Sequence, residues 1–572
     1  MASKFNRSLI FDSVILGVVG ALAAQLFMFM LDYCDAFFMQ LIANYQAPGL
    51  PNEGGVLTQV IGPHWLWLIP LVTTLGGLIS GFIIYTWAPE AEGHGTDTAV
   101  RAFHKQDGNI RARVPFLKMI ASAITIGSGG AAGREGPIAL IASGFGSLYA
   151  RWTGRSAKEK RILVLVGMSA GLSAIFRSPI GSAIFAVEVL YGGMEFEAGA
   201  LIYTTLAAIV AYTVNGVFVG WQPLFQVPGN LQIHDLYEYG LYILLGIGCG
   251  LVSTIVPPIF YGIRDAFHNI SIPDHFKPAI GGLGVGLLAL WLPQILGGGY
   301  GWIQEAINGQ LGLEIMIILV FAKLVAFALT VSSGGSGGVF APSLYVGAMV
   351  GGLIAHLFHQ PSAAFVVIGM AALFSGAAHV PFAALLMVTE MTGGYQMLVP
   401  AALAVMLSYM IQTHLSGYFK YPSLYEGQVP SRAHSGAHHD DYLNMAMDLL
   451  TNQSVSIPEA VGRLDLVSLL KSKIPIDLPN QKKFTVIEIQ PDGPCTGQPF
   501  DPNCFAENED EEIEILVLMR NGNIVIPTPN TILKPRDQIL LISSEEVWER
   551  LRDRFQTPEQ MKDIPNKDSE SQ

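Results

Sequence analysis

The sequence predicts an all-α polytopic membrane protein built on an internal inverted repeat, followed by a small α/β cytosolic domain. Three observations carry that prediction: charge is concentrated at one end of the chain, apolar stretches of membrane-spanning length recur through the rest, and two motif blocks recur in the same order at a nearly constant offset.

Of 572 residues, 51% are hydrophobic and 13% charged, whereas soluble domains carry about 25% charged residues. The first 425 residues hold 38 Asp, Glu, Lys and Arg, and the last 147 hold 39. A charge-poor body therefore precedes an acidic, water-compatible tail, and most of the net charge of −13 belongs to the tail. No basic stripe is available to meet phosphates, which argues against a nucleic-acid partner. Cys34, Cys249, Cys495 and Cys504 have no ligand spacing, so neither a zinc site nor a disulfide framework is expected.

Apolar runs of about 20 residues, the length that crosses a bilayer, lie near 13–31, 64–87, 199–221, 238–260, 279–298, 313–331 and 396–412. With the less regular apolar sequence between them, about ten or more spans are expected. The first run is too long for the apolar core of a signal peptide and has no clear cleavage site behind it, so it is read as a retained span. Basic residues gather at Arg111, Arg113 and Lys118, and again from Arg151 to Arg161. By the positive-inside tendency these loops and the N-terminus face the cytoplasm; the C-terminus is expected there too, and the membrane is expected to be a bacterial inner membrane.

Ser128-Gly-Gly-Ala-Ala-Gly-Arg-Glu-Gly-Pro137 aligns without gaps on Ser333-Gly-Gly-Ser-Gly-Gly-Val-Phe-Ala-Pro342, an offset of 205. Gly167, Met168, Ala170, Pro179 and Glu188 then recur as Gly369, Met370, Ala372, Pro381 and Glu390, an offset of 202. A duplicated unit follows, the halves running roughly over 60–225 and 235–425 within a membrane domain of residues 1–430. Gly-rich, Pro-punctuated sequence inside an apolar stretch reads as a broken helix, tolerated at membrane depth only where protein or a water-filled cavity satisfies its backbone. Pro137 and Pro342 suit the first turn of a new helix. Such a start offers unpaired N–H groups and about half a positive charge, an anion site without a full cation. Gly breaks also serve close helix packing, but duplication with a flanking Pro favours the anion site. Gly127, Gly129 and Gly133 imitate a dinucleotide loop with the wrong spacing and no preceding strand. Neither a nucleophile–base pair nor a metal cluster argues for an enzyme, and no cofactor is expected.

At these residues the chain resembles the CLC family of chloride channels and chloride/proton exchangers. Gly133-Arg134-Glu135-Gly136-Pro137 matches that family's G(K/R)EGP motif, Gly338-Val339-Phe340-Ala341-Pro342 its GxFxP motif, and Pro422-Ser423-Leu424-Tyr425 the segment carrying its pore tyrosine. The resemblance, which spans roughly residues 10–430, implies a homodimer in the bilayer with chloride or a related small anion as cargo. It implies that the Glu135 carboxylate is the gate, competing with the anion. Backbone amides of Arg134, Glu135, Gly136, Val339 and Phe340 would bind the anion, and Tyr425 would donate its hydroxyl from the cytoplasmic side. A carboxyl group within an apolar broken helix is a functional candidate on its own account.

Two departures from the family pattern matter. The GSGIP motif appears as Gly93-His94-Gly95-Thr96-Asp97, which puts His94, with Gly95, where the family has its anion-facing serine. A histidine can donate to a halide and charges near neutral pH; alternatively, His94 only packs or caps a helix. Phe185-Ala186-Val187-Glu188-Val189 aligns with a stretch where coupled exchangers commonly carry two acids, the second relaying protons. Valine cannot carry a proton, so passive or weakly coupled flux is expected, with a coupled antiporter using another proton route as the alternative. Glu188, repeated as Glu390, suits a structural hydrogen-bonding role.

Residues 431–454 read as a linker, in which His434, His438, His439, Asp440 and Asp441 lie in a Gly/Ser context that favours solvated chain over a metal site. Short β-branched strands follow at Phe484–Ile489, Ile513–Met519, Asn523–Ile526 and Gln538–Ile542, with Arg520-Asn521-Gly522-Asn523 as a hairpin turn and an amphipathic helix at Glu545–Phe555. Arg520, Gly522, Pro527 and Asp537 resemble the pattern of the RCK-C (TrkA-C) regulatory module of bacterial potassium transport, over 455–556. Such a module implies an unknown small ligand or dimerisation, and leaves a ligand-sensing regulator of ion transport as the function from another class. The acidic run Glu507–Glu512 reads as a solvated loop and residues 557–572 as a disordered tail.

Overall fold

The computed structural model describes residues 6–62, 65–228 and 236–438, and in the C-terminal part 476–478, 482–489, 495–501, 505, 513–520, 523–525, 531–535 and 537–555. The chain separates into two compact units, Met1–Ser431 and Arg432–Gln572.

In the first unit, helix α1 (Arg7–Asp35) is capped by the Asn6 side chain and runs on into a π-helical segment, Ala36–Ile42. A two-stranded ribbon, β1 (Tyr45–Gln46) and β2 (Val60–Ile61), follows. The chain continues through α2 (Trp65–Trp87), α3 (Thr96–Lys105), α4 (Arg113–Gly127), α5 (Glu135–Trp152), α6 (Ala157–Phe176), α7 (Pro179–Glu188) and α8 (Leu201–Val219). The second half comprises α9 (Leu236–Asn269), α10 (Lys277–Ala289), α11 (Tyr300–Ile307), α12 (Leu313–Ser332), α13 (Phe340–Leu357), α14 (Ser362–Ala378), α15 (Pro381–Thr392) and α16 (Leu398–Ser416). Neighbour relations repeat: α1 packs on α6 and α8 as α9 packs on α14 and α16, α5 lies on α6 as α13 lies on α14, and α7 meets α15.

Contacts across the repeat are reciprocal, as a two-fold relation between halves requires. Gly133 and Gly338 exchange backbone hydrogen bonds in both directions, at 2.8 and 2.6 Å. The Thr330 hydroxyl accepts from the Ala131 N–H at 3.0 Å, and the Thr125 hydroxyl from the Ser336 N–H at 3.4 Å. Glu188, at the end of α7, accepts the Phe382 and Ala383 N–H groups at the start of α15; Glu390, near the end of α15, accepts from Ile180 and Gly181 at the start of α7 and from the Ser178 hydroxyl. Each carboxylate thus fills the orphan donors and meets the positive end of the other half's helix. Pro179 and Pro381 occupy the first turns, where a missing N–H costs nothing.

Helices α5, α6, α13 and α14 are buried almost all round, whereas α1, α2, α9 and α12 leave large apolar side chains such as Phe29, Trp67, Leu251 and Phe321 exposed, a surface suited to hydrocarbon. Among the described residues seven helices are long and apolar enough to span a bilayer, and Pro179–Glu188, Ser362–Ala378 and Pro381–Thr392 are shorter apolar helices. The run 279–298 does not form one span: α10 stops at Ala289, a 3-10 turn follows at Pro293–Ile295, and Gly297 and Gly299 adopt positive φ. Conversely, α13 qualifies although its start lies in the Gly-rich motif.

The second unit holds a five-stranded antiparallel sheet of β3 (Ile476–Leu478), β4 (Lys482–Glu488), β5 (Glu514–Arg520), β6 (Asn523–Val525) and β7 (Gln538–Ser544), in the order β3-β4-β7-β5-β6. Helix α17 (Glu545–Phe555) follows. Ile487, Leu518, Ile539, Leu541, Val547 and Leu551 form its core. Arg520 grips the buried Asp537 carboxylate through Nε and Nη2 at 2.8 and 2.7 Å and donates to the Ile532 carbonyl. Strand β3 had no sequence signal. Cys495 is disulfide-bonded, against the expectation of no disulfide, whereas Cys34 and Cys249 are free; pairing depends on which strands and loops the fold brings together, which spacing does not encode. His434 and His438 lie in two short 3-10 turns. His439, Asp440, Asp441, Asn521, Gly522, Pro527, the run Glu507–Glu512 and residues 557–572 lie outside the described residues.

Candidate anion site at the duplicated helix breaks

Both breaks are built the same way. Helix α4 ends at Gly127 and α12 at Ser332; the chain turns through Gly129 (φ 96°) and Gly334 (φ 98°), a conformation that favours glycine, then crosses its counterpart at Gly133 and Gly338. Helices α5 and α13 start immediately beyond, with Arg134 and Val339 as their caps. First-turn N–H groups have no partner within a helix, so two sets of donors converge where the halves cross.

Between them lies a free volume of about 10 Å³, room for one water-sized particle, lined by Thr96, Glu135, Gly136, Leu172, Phe176, Phe185, Val339, Phe340, Met387 and Tyr425. The buried Glu135 carboxylate projects into this crossing, where it accepts the Ala341 N–H from the other half at 3.4 Å. A second donor is the Tyr300 hydroxyl. The Arg134 side chain turns away: its guanidinium pairs with Glu53 at 2.7 and 3.2 Å and lies over the Tyr300 ring, 4.6 Å from the centroid. Among the described residues no full cation lines the crossing itself.

On one side the site adjoins a larger cavity of about 660 Å³, lined among others by Glu92, His94, Gly95, Asp97, Arg101, Arg264 and Glu426. His94 Nε2 is 3.0 Å from Asp97 Oδ2, Asp97 also accepts the Gly427 N–H at 3.0 Å, and the His94 ring lies 5.4 Å from that of Tyr425. Gly95 (φ 87°) packs so closely that a Cβ would lie 2.8 Å from the Gly136 carbonyl. Tyr425 stands in the coil after α16, held by the Ser423 hydroxyl on its N–H, and lines the small volume together with Thr96. Toward Arg134, a cavity of about 530 Å³ is lined by Asp32, Glu53, Arg134 and Arg177.

The structure therefore gathers Glu135, Gly136, Val339, Phe340 and Tyr425 around one small volume, with His94 and Gly95 at its mouth and the Arg134 backbone at its edge. Val189 stands apart: it caps the end of α7, fully buried, and does not line the site. Thr96, Phe176, Phe185, Met387 and Tyr300 were missed in the sequence. So was a second duplication: Lys118 Nζ clamps the Ala91 and Gly93 carbonyls as Lys323 Nζ clamps those of Ile295 and Gly297. Its signal was present, since Gly93-x-Gly95 and Lys118 recur as Gly297-x-Gly299 and Lys323 at the repeat offset.

The sequence matches the voltage gated chloride channel (Voltage_CLC) family over residues 76–413. A putative chloride channel protein ClcB-like of Ralstonia nicotianae is 30% identical over 393 residues, covering 65% of this chain and 88% of that protein. An H(+)/Cl(-) exchange transporter ClcA of Cronobacter sakazakii is 28% identical over 383 residues, covering 64% and 82%. The fold is similar to those of a slow cyanobacterial Cl−/H+ antiporter (TM-score 0.64, 20% identity, 73% of this chain and 97% of that one) and of a CLC-type fluoride/proton antiporter (0.63, 22%, 74% and 98%). The chain, an integral multi-pass membrane protein, belongs to the voltage-gated chloride channel family, the CLC family.

Proposed function

We propose that the protein carries chloride across the membrane by the CLC route, with Glu135 as the gate. The observation that carries this is the Glu135 carboxylate, at the start of α5, taking the Ala341 N–H from the start of α13 beside the small volume that Gly136, Val339 and Phe340 also line, so that it sits where a small anion would be held. An anion replacing it meets the backbone amides of Arg134, Glu135, Gly136, Val339 and Phe340, with Tyr425, His94 and Gly95 on the side of the larger cavity. Binding by dipoles rather than by a full cation leaves the ion free to depart. Protonation of Glu135 removes the charge that competes with the anion and frees the site.

Flux is passive or weakly proton-coupled in this proposal, because Val189 is buried and has no titratable atom. Coupled exchange is the second possibility, favoured by relatives named as exchangers. Full-length protein in liposomes under separate chloride and proton gradients decides: passive flux reverses at the chloride potential, and uphill chloride movement driven by a proton gradient alone overturns it. The protein works as a homodimer in a bacterial inner membrane, termini and His94-side cavity cytoplasmic. Its tail is an RCK-C-like regulatory domain for a small ligand, a reading supported by the Arg520–Asp537 pair at two of the pattern positions.

A further inference from the structure

We propose that Tyr300 is a positioning residue of the gate, a latch that holds the ionised Glu135 carboxylate in the anion site; the inference rests on Glu135 being the gate. Tyr300 is the first residue of α11, directly after Gly299 (φ 80°), and stands in the second half where Thr96, directly after Gly95 (φ 87°), stands in the first. The buried lysine clamp behind each loop is the same in both halves. The duplicated element thus brings one hydroxyl-bearing residue to each side of the crossing: Thr96 lines the small volume with Tyr425, and Tyr300 donates to Glu135 Oε1.

Tyr300 is itself held in place. The Arg134 guanidinium lies over its ring, and Glu53, in a 3-10 turn before α2, fixes that guanidinium with two hydrogen bonds. An aromatic face under a cation is an attractive pairing, so a chain from Glu53 through Arg134 and Tyr300 ends on the gate. The groups facing Glu135 are Arg134 from its own helix start, Tyr300 from α11 and Tyr425 beyond α16; Lys323 of α12 stands behind Gly299, and Asp32 and Glu53 lie beyond Arg134. A neutral hydroxyl that donates stabilises a carboxylate over a carboxylic acid. Tyr300 therefore favours the closed, ionised gate, and acid opens it.

Chloride efflux from liposomes carrying full-length protein, measured against the pH on the Arg134 side, tests this. Tyr300→Phe keeps the ring over which Arg134 lies and removes only the hydroxyl. The expected result is half-activation at a pH higher by about one unit, and several-fold more flux at neutral pH. Glu135→Gln should abolish acid activation from that side, and adding Tyr300→Phe to Glu135→Gln should change nothing further. Glu53→Gln, which loosens Arg134 without touching the pathway, should shift the profile the same way by less, and stands in if Tyr300→Phe does not assemble. A wild-type profile in Tyr300→Phe, or in Glu53→Gln should it stand in, with Glu135→Gln flat, overturns the latch and leaves the gate standing. A Glu135→Gln profile like wild type overturns the gate, and the latch with it.

Discussion

The starts of α5 and α13 share a backbone and differ in side chains. Both follow a glycine at φ near 97°, both cross at Gly133 and Gly338, and both have proline in the first turn. Yet the first half reads Arg134-Glu135-Gly136 where the second reads Val339-Phe340-Ala341. The second start supplies donors and an apolar wall: the Phe340 ring packs on Phe176 and Phe374 at 4.7 and 4.3 Å. The first supplies donors and the movable charge. The two copies share the dipole frame, and the first adds the carboxylate to which the gate role is assigned.

The symmetric part should break symmetrically. Glu188→Ala and Glu390→Ala each leave N–H groups at a helix start without their acceptor, and a lost hydrogen bond to a charged group costs about 1.5–3 kcal/mol. Each should lower the unfolding midpoint in detergent, Glu390→Ala by more because it strands a hydroxyl as well as two N–H groups. A neutral effect in one and a large one in the other refutes the equivalence of the two caps. The asymmetric part should break asymmetrically. A Cβ on Gly136 collides with the His94 carbonyl and stands 3.0 Å from Gly338 Cα, whereas its counterpart Ala341 already carries one. Gly136→Ala should cut chloride flux at least tenfold, about 1.4 kcal/mol or more at the barrier, while Ala341→Gly stays within a few-fold of wild type in the same efflux measurement.

Glu135→Gln comes next in size. Among the described residues it removes the one carboxylate that lines the crossing, so flux at neutral pH should rise several-fold and lose its activation by acid on the Arg134 side. Phe340→Leu, at the equivalent place in α13, should leave acid activation intact. A pH response that follows Phe340 instead of Glu135 would place the gate in the wrong half.

Much of this comparison was legible in the sequence, and the reasons are physical. Gly and Pro write backbone geometry directly, so the breaks at Gly129 and Gly334 and the helix starts at Pro137 and Pro342 could be read from spacing. Strands β4, β5 and β7 were readable from β-branched runs. What stayed hidden depends on three-dimensional approach: Tyr300 reaches Glu135 from 165 residues away, and Lys118 and Lys323 look like ordinary basic residues until their loops are folded under them. The stretch 279–298 misled because hydropathy counts apolar residues and is blind to the turn imposed at Pro293 and Gly297.

His94 offers the finest division between the halves, since its counterpart in the second half is Gly298. Its Nε2 faces Asp97, while its Nδ1 is buried with no hydrogen-bond partner. If the neutral ring spends its proton on Asp97, Nδ1 is an acceptor and repels an anion; only the protonated ring has a donor there. Acid on the His94 side should therefore strengthen anion entry by a few-fold, even in Glu135→Gln, whose remaining pH response comes from this side alone. His94→Ser supplies a hydroxyl donor at every pH, so Glu135→Gln/His94→Ser should be flat on both sides and shift the preference among halides. Persistence of the His94-side response in that double variant would move the sensor elsewhere in the cavity, to Glu92 or Glu426.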